Sequence, residues 1–241
     1  MKKIIAGAFS VALLSTPAVA QSPVLESIAS DGIVTIGHRE ASTPFSFIDD
    51  NGNVSGYSID LCLEIVEDIK KQLGRDDLQV NYVPVNPQTR IALVANGTVD
   101  LECGATTNNL TRQQQVGFSP IMYTTGTRLL VTKDSGISGI GDMDGMRIAV
   151  AQGAANEVAV TNAADALGIE IDLLYTKDIA EAMLALETDR VDAVTSDDIL
   201  LYGLASKSSN PDKFSVVGDF LSYEPYAIMI NRADPDFALL V

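Results

Sequence analysis

The sequence contains no tryptophan, a single histidine and only two cysteines. Histidine and clustered cysteine are common ligands of transition metals, so this scarcity argues against a zinc or redox-metal site. Basic residues are also few: 16 lysines and arginines stand against 32 acidic residues, a formal net charge of -16. Nucleic acid is a poor partner for such a chain, because phosphates attract cations. The rest of the composition, with 46% hydrophobic residues, is ordinary for a globular protein.

A long apolar run is present only near the amino end. Lys2 and Lys3 precede the apolar residues 4–14, and Ala-Val-Ala at residues 18–20 is a small-residue cleavage site. This pattern predicts a secretory signal peptide over residues 1–20, cleaved before Gln21, since the run is too short to span a membrane. Loss of its two lysines takes the net charge from -16 to -18.

The two cysteines, Cys62 and Cys103, are a candidate disulfide if the protein is exported. The alternative is a pair of buried free thiols that act as small hydrophobic side chains. From the residues alone both interpretations stay open.

Strand and helix patterns alternate twice along the chain, which predicts an α/β fold in two halves. We expect lobe 1 over residues 21–132, lobe 2 over residues 133–222, and a return into lobe 1 over residues 223–241. Each lobe is predicted as a mostly parallel sheet flanked by helices, with two extended crossings that form a hinge. Ser58 is predicted to cap the first long helix. Residues 234–241 read as a helix without a terminal cap, so we expect a C-terminal truncation.

Residues 99–119 combine a strand, a turn of small residues and a short helical turn that carries Arg112. Small residues leave backbone N–H groups open to a ligand, and a guanidinium binds a carboxylate through two parallel hydrogen bonds. The segment therefore predicts a carboxylate site at the C-terminal end of a strand. A polar loop with a solvated arginine is the alternative interpretation.

Several segments closely resemble the periplasmic glutamate/aspartate-binding proteins, which are the substrate-binding components of polar amino acid ABC importers. The resemblance covers residues 24–241, in order, and is carried by GHREASTPFSF, GYSIDLCLEIV, NPQTRIALVANGTVDLECGATTNN and VTSDDILLYG. It implies a type II periplasmic binding fold that closes over one amino acid and docks on a membrane permease. It further implies a monomer in the periplasm, without a cofactor or metal.

The resemblance also implies roles for individual residues. Arg112 would bind the α-carboxylate of the ligand, assisted by Thr107 and by the backbone near Ala105. Asp197 in lobe 2 would receive the α-ammonium group. Arg39 and Arg90 would face the side-chain carboxylate, and backbone N–H groups at Ala155, where a helix begins, would supply further contacts.

Three positions depart from the pattern of the resembled proteins. Pro87 stands where they have a serine, Ala105 where they have another serine, and Ile179 where they have a histidine. Because both arginines remain, an acidic amino acid is still the expected ligand. A neutral ligand such as glutamine or asparagine is the alternative.

Two further hypotheses come from other functional classes. The same fold also occurs in periplasmic enzymes such as dehydratases, but the cleft offers only Glu40, Glu102 and Asp197 as acid or base groups, without a histidine or cysteine partner. The second hypothesis, a sensor domain of a receptor, is disfavoured because no membrane span is predicted. We therefore expect a binding protein and no catalytic residues.

Overall fold

The computed structural model describes residues 22–241 of the chain. The predicted signal peptide lies outside the described residues. Within them, eight α-helices are formed: α1 (Pro23–Asp31), α2 (Tyr57–Leu73), α3 (Arg90–Ala95), α4 (Leu110–Gln113), α5 (Asn156–Leu167), α6 (Ile179–Glu187), α7 (Asp198–Lys207) and α8 (Pro235–Leu240). None of these helices is both long and apolar enough to cross a bilayer.

The same residues form fifteen β-strands. They are β1 (Ile33–His38), β2 (Ala41–Ser42), β3 (Ser46–Ile48), β4 (Val54–Ser55), β5 (Gln79–Pro84), β6 (Leu101–Glu102), β7 (Gly117–Phe118), β8 (Tyr123–Thr125), β9 (Thr127–Thr132), β10 (Arg147–Ala151), β11 (Asp172–Thr176), β12 (Ala193–Asp197), β13 (Phe214–Val217), β14 (Glu224–Tyr226) and β15 (Met229–Ile230).

Lobe 1 is built on a five-stranded sheet in the order β5-β1-β6-β15-β7. Strands β5, β1 and β6 are parallel, and β15 runs antiparallel to both of its neighbours. One apolar cluster joins α1, α2 and α8 to this sheet, and a second joins α3 to it. Helix α2 packs on the sheet because its apolar residues recur at helical spacing, with Ile59, Cys62, Val66 and Ile69 buried.

Lobe 2 is built on a second five-stranded sheet, in the order β11-β10-β12-β9-β13. Strands β10, β11 and β12 are parallel, whereas β9 is antiparallel to β12 and β13. One apolar cluster of this lobe contains residues of α6 and α7, and a second contains a residue of α5. The predicted fold class, two lobes of mixed α/β structure with mainly parallel sheets, is confirmed.

Two extended segments connect the lobes. Strands β8 and β14 pair antiparallel, with Tyr123 opposite Tyr226 and Thr125 opposite Glu224. Next to them the backbone N–H of Ala227 donates to the carbonyl of Thr106 at 3.1 Å. This two-stranded ribbon, called the hinge ribbon below, connects the lobes and runs directly beside residues 105–107.

Two local predictions differ from the structure. Strand β9 hydrogen-bonds into the second sheet, although residues 127–132 were expected in lobe 1. Ser58 does not cap α2: the N-cap is Gly56, and the Ser58 hydroxyl donates to the carbonyl of Gly104 at 2.8 Å. This hydroxyl is fully buried, so a tertiary acceptor replaces the local one.

A disulfide and a set of hydrogen bonds connect parts of lobe 1 that are far apart in the sequence. Cys62 of α2 and Cys103, just after β6, form a disulfide with an S–S distance of 2.04 Å. Asp234 is buried, and its Oδ2 accepts from the Ser22 hydroxyl at 2.6 Å and from the Val24 N–H at 2.9 Å. Its Oδ1 accepts from the N–H of Phe237, so one carboxylate fixes the starts of both α1 and α8.

Candidate functional site

A cavity lies between the lobes at the C-terminal ends of their parallel strands. It has a volume of about 30 Å³, room for about one or two water molecules. Lobe 1 lines it with Arg39, Ser42, Pro87, Arg90, Ala105 and Thr107. Lobe 2 lines it with residues that include Ala155, Asn156, Ile179, Ser196, Asp197 and Leu200. All the residues predicted to bind ligand except Arg112 therefore lie around one cavity.

Arg112 lies beside this cavity, in a wider groove of about 860 Å³ that shares Thr107 and Ala155 with it. The short helix α4 positions it, because the side chain of Asn109 caps this helix by accepting from the N–H of Arg112 at 2.9 Å. The guanidinium is buried and donates to the carbonyl of Thr107 at 2.8 Å and to that of Gly153, in lobe 2, at 3.3 Å. Arg112 thus joins the two lobes.

Arg90 is the first residue of α3, and a buried relay fixes its side chain. Its Nη1 donates to the hydroxyl of Thr106 at 2.5 Å and to the carbonyl of Ala105 at 3.2 Å. The Thr106 hydroxyl donates in turn to Oε2 of Glu102 at 2.6 Å. Among the described residues, Nε of Arg90 and Oε1 of Glu102 have no hydrogen-bond partner.

Arg39 follows β1 and is also buried. Its guanidinium has no hydrogen-bond acceptor and no ion-pair partner in residues 22–241. Burial, assisted by the charge of Arg90, lowers the pKa of Arg39 to about 10. The same two causes lower the pKa of Arg112 to about 10, so both side chains stay cationic at neutral pH.

Asp197 ends β12 and brings a carboxylate to the cavity from lobe 2. Its Oδ1 accepts from Nδ2 of Asn156 at 2.8 Å, and its Oδ2 accepts a very short hydrogen bond from the hydroxyl of Tyr226. Burial raises the pKa of Asp197 to about 6, and the nearby Glu224 carboxylate adds to the rise. The Tyr226 and Asn156 hydrogen bonds oppose it, because they stabilise the charged form.

A continuous set of hydrogen bonds passes from lobe 1 through the hinge to lobe 2. Its first five links have donor–acceptor distances of 2.5–2.8 Å and connect, in order, Thr107, Glu224, Ser222, Thr127, Asn156 and Asp197. Tyr226 closes the series on the other oxygen of Asp197. Groups predicted to contact ligand on both lobes are therefore held by one network.

Apolar contacts between the lobes occupy one side of the cavity. Ile179 and Leu200 of lobe 2 belong to one buried cluster with Phe45 and Ala105 of lobe 1. Pro87 lines the same cavity, so the three departures noted in the sequence contribute no side-chain hydrogen-bond donor to it. The polar character of the cavity rests on the remaining charged and hydroxyl groups.

Sequence reasoning missed Ser42, Asn156 and Ser196, which also line the cavity. Asn156 begins a helix that the sequence does predict, and its amide is directed at Asp197. Ser42 and Ser196 carry no such signal, because each is a single serine in a strand and its neighbours in the sequence do not mark it as a ligand contact.

The arrangement suits binding of a small ionic molecule. Arg39, Arg90 and Arg112 supply three cations, and Asp197 supplies an anion from the opposite lobe. No group of histidine, cysteine or acidic residues in residues 22–241 has the arrangement of a metal site. Two α/β lobes, a hinge ribbon and an ionic cavity between them define the class of hinged solute-binding proteins.

Comparison with known proteins gives the family. Residues 34–154 match the model of the bacterial extracellular solute-binding proteins, family 3. The chain is 39% identical, over 93% of its length and 74% of the relative's, to the glutamate/aspartate import solute-binding protein of Salmonella typhimurium. It is 41% identical, over 99% of its length and 80% of the relative's, to the L-glutamate/L-aspartate-binding protein of Pseudomonas aeruginosa. The chain belongs to family 3 of the bacterial extracellular solute-binding proteins.

The solved structures agree with this assignment. A periplasmic binding protein of an ABC transporter from Brucella ovis, with glutathione bound, superimposes with a TM-score of 0.82 at 25% identity. The match covers 91% of this chain and 68% of that one. Both curated relatives are named as binding proteins and neither as an enzyme, and one of them is named for import, which agrees with the membership of this chain in a family of solute-binding proteins.

Proposed function

We propose that this protein binds glutamate or aspartate between its lobes and delivers it to the permease of an ABC importer. The observation that carries the proposal is the buried guanidinium of Arg39, which lacks a protein acceptor among the described residues while Asp197 lies across the same cavity. A buried cation is costly unless an anion pairs with it. A ligand carboxylate supplies that anion.

The charges of the site match a dicarboxylic amino acid. Such a ligand has two carboxylates and one ammonium group. Arg112 suits the α-carboxylate, Asp197 suits the ammonium, and Arg39 with Arg90 suits the side-chain carboxylate. Each ligand charge then has an opposite partner when the lobes exclude water.

Binding requires the lobes to separate. The cavity of about 30 Å³ is too small for a whole amino acid, so the lobes separate about the hinge ribbon to admit ligand and close again around it with a wider cavity than in this structure. Closure then brings Asp197 of lobe 2 onto a ligand already held by the arginines of lobe 1. The groove beside Arg112 is the route of entry that this geometry favours.

The names of the relatives support this proposed function. Two of them are named for glutamate and aspartate, and one of these for import. We further propose that residues 1–20 are removed as a signal peptide and that the protein lies in the periplasm. We also propose that it is a monomer and does not bind nucleic acid.

Calorimetric titration with the twenty amino acids tests the proposal. Arg112→Ala should lower affinity about 100-fold or more for every ligand, since it leaves the α-carboxylate without its buried partner. Arg90→Ala should weaken glutamate and aspartate about tenfold or more and change glutamine less, because only the acids carry a side-chain charge.

Arg147→Ala is the matched control. Arg147 is an exposed arginine of lobe 2 that pairs with Asp172 outside the cavity, so its loss should leave binding unchanged. The absence of any heat with glutamate and aspartate for the wild-type protein would contradict the proposal. Equal losses for all ligands in Arg90→Ala and Arg112→Ala would contradict the separate roles of these two residues.

A further inference from the structure

The hydroxyl of Ser42 has no hydrogen-bond partner among residues 22–241, although its side chain is 1% exposed. A buried hydroxyl without a partner is costly, and native proteins contain few of them. Ser42 also lines the cavity between the lobes. An orphaned polar atom at a ligand cavity indicates that the missing partner comes from the ligand.

The backbone around Ser42 is fixed by local pairing. Ser42 ends β2 and pairs with Ser46 of β3, and the hydroxyl of Ser46 accepts from the backbone N–H of Arg39 at 2.9 Å. The same short hairpin therefore positions both Ser42 and Arg39. Because both line the cavity, the hairpin presents a neutral donor and a cation to it.

Among the residues that line the cavity, the unpaired polar groups can all donate; the unpaired Oε1 of Glu102 belongs to a residue that does not line it. The Nε–H of Arg90 and the hydroxyl of Ser42 lack acceptors within the described residues, and so does the guanidinium of Arg39. Arginine cannot accept a hydrogen bond, so a group that satisfies this set must be an acceptor with several lone pairs. A carboxylate meets this requirement, whereas an amide brings donors of its own.

The other neutral residues near Arg39 and Arg90 do not supply an alternative to Ser42, and the second serine of the cavity, Ser196, comes from lobe 2 next to Asp197. Pro87, Ala105 and Ile179 are apolar, and the Thr107 hydroxyl already donates to Glu224 at 2.6 Å. We propose that Ser42 is a specificity residue whose hydroxyl donates to the side-chain carboxylate of the bound acidic amino acid, beside Arg39 and Arg90. This inference deepens the proposed function and rests on it.

Ser42→Ala separates this role from a structural one. Removing an unpartnered buried hydroxyl should leave the melting temperature of the ligand-free protein unchanged or raise it. The same change should lower glutamate affinity about tenfold. It should lower glutamine affinity less, because hydrogen bonds to a charged acceptor are stronger than those to a neutral one.

Ser58→Ala is the matched control, since the Ser58 hydroxyl is equally buried but donates to the Gly104 carbonyl. It should lower the melting temperature and keep the ratio of glutamate to glutamine affinity. The proposal is overturned if Ser42→Ala binds both ligands as the wild-type protein does, or if it lowers the melting temperature without changing that ratio. A wild-type protein that binds neither acid would refute the proposed function itself, which distinguishes the two failures.

Discussion

Asp197 is the residue at which the chemistry of the site is most sensitive to pH. Its carboxyl titrates at about pH 6 in the ligand-free protein because burial disfavours the charged form. An acid whose pKa is raised on folding holds its proton more tightly in the folded than in the unfolded chain. Its charged form therefore reduces stability fully above about pH 6, and this effect disappears as the pH falls below about 3, where both states are protonated.

Glutamate affinity should consequently depend on pH through this residue. The ligand ammonium needs an ionised Asp197, so affinity should be constant from about pH 7 to 8 and fall below pH 6, approaching tenfold per unit. Calorimetry at several pH values measures this profile. Asp197→Asn should bind more weakly at pH 7 and show a flat profile from pH 5 to 7, and a sloping profile in this variant would assign the dependence to another group.

Individual site residues were predictable only in part. The resemblance supplied Arg39, Arg90, Arg112 and Asp197, and the structure brings all four to one inter-lobe region. Their roles toward a ligand remain predictions. Ser42 was not predictable, because its lack of a partner becomes visible only when both lobes surround it.

At the scale of elements, closure depends on how tightly α7 approaches lobe 1. Gly203 lies within α7, and a Cβ at this position would overlap the carbonyl oxygen of Thr43, next to β2. Alanine in a helix interior is ordinarily more favourable than glycine by about 1 kcal/mol. The absence of a side chain at Gly203 therefore allows α7 of lobe 2 to contact lobe 1 at Thr43.

Gly203→Ala should therefore weaken binding without weakening the fold. We expect glutamate affinity to fall about tenfold or more, because the extra methyl group opposes closure, while the ligand-free melting temperature stays equal or rises. Calorimetry and thermal unfolding give the two values, and X-ray scattering with saturating glutamate should show a larger radius of gyration than for the wild-type protein.

Gly141→Ala is a matched control in lobe 2, since a Cβ there meets no atom within 4 Å. It should leave affinity and scattering unchanged. Wild-type affinity in Gly203→Ala would show that closure does not need this approach.

Periodicity predicted the longer elements best. The sequence predicts a helix over residues 156–167 and an end of the first long helix near residue 73, before Gly74, and α5 and α2 have these limits, because apolar spacing and glycine stop signals act locally. The sequence predicts a strand over residues 99–103 and a helix over residues 87–95, whereas β6 and α3 are shorter, at Leu101–Glu102 and Arg90–Ala95. Pairing across the sheet sets those limits, and a single sequence does not contain that information.

At the scale of the whole molecule, net charge and site charge have different effects. The site is formally neutral, since Arg39, Arg90 and Arg112 are balanced by Glu102, Asp197 and Glu224, all of them buried. The chain without residues 1–20 carries -18, from -16 minus two lysines. An acidic ligand is therefore repelled at long range and held only at short range.

Association of glutamate should accelerate when salt is added. Between about 10 mM and 150 mM ionic strength, screening shortens the range of the repulsion, and the rate constant should rise by about two- to threefold. Glutamine, which has no net charge, should show no change. Stopped-flow tyrosine fluorescence can follow the reaction, and a rate that falls with salt would indicate attractive steering instead.

The two-lobed arrangement was predictable from the alternation of strands and helices, but the assignment of β9 was not. The residues of β9 predict a strand, but they do not predict which other strands pair with it. Antiparallel pairing with β12 and β13 places it in the second sheet. Lobe 2 thereby gains a strand that begins immediately after the hinge.

The position of β15 sets an order for folding. All strands of the second sheet come from residues 127–217, a continuous piece of chain. The first sheet instead needs Met229 and Ile230 between β6 and β7, and the start of α1 needs Asp234. During synthesis, which proceeds from the amino end, all strands of the second sheet are therefore available first. The first sheet keeps an open gap between β6 and β7 until residues 229–230 have been made.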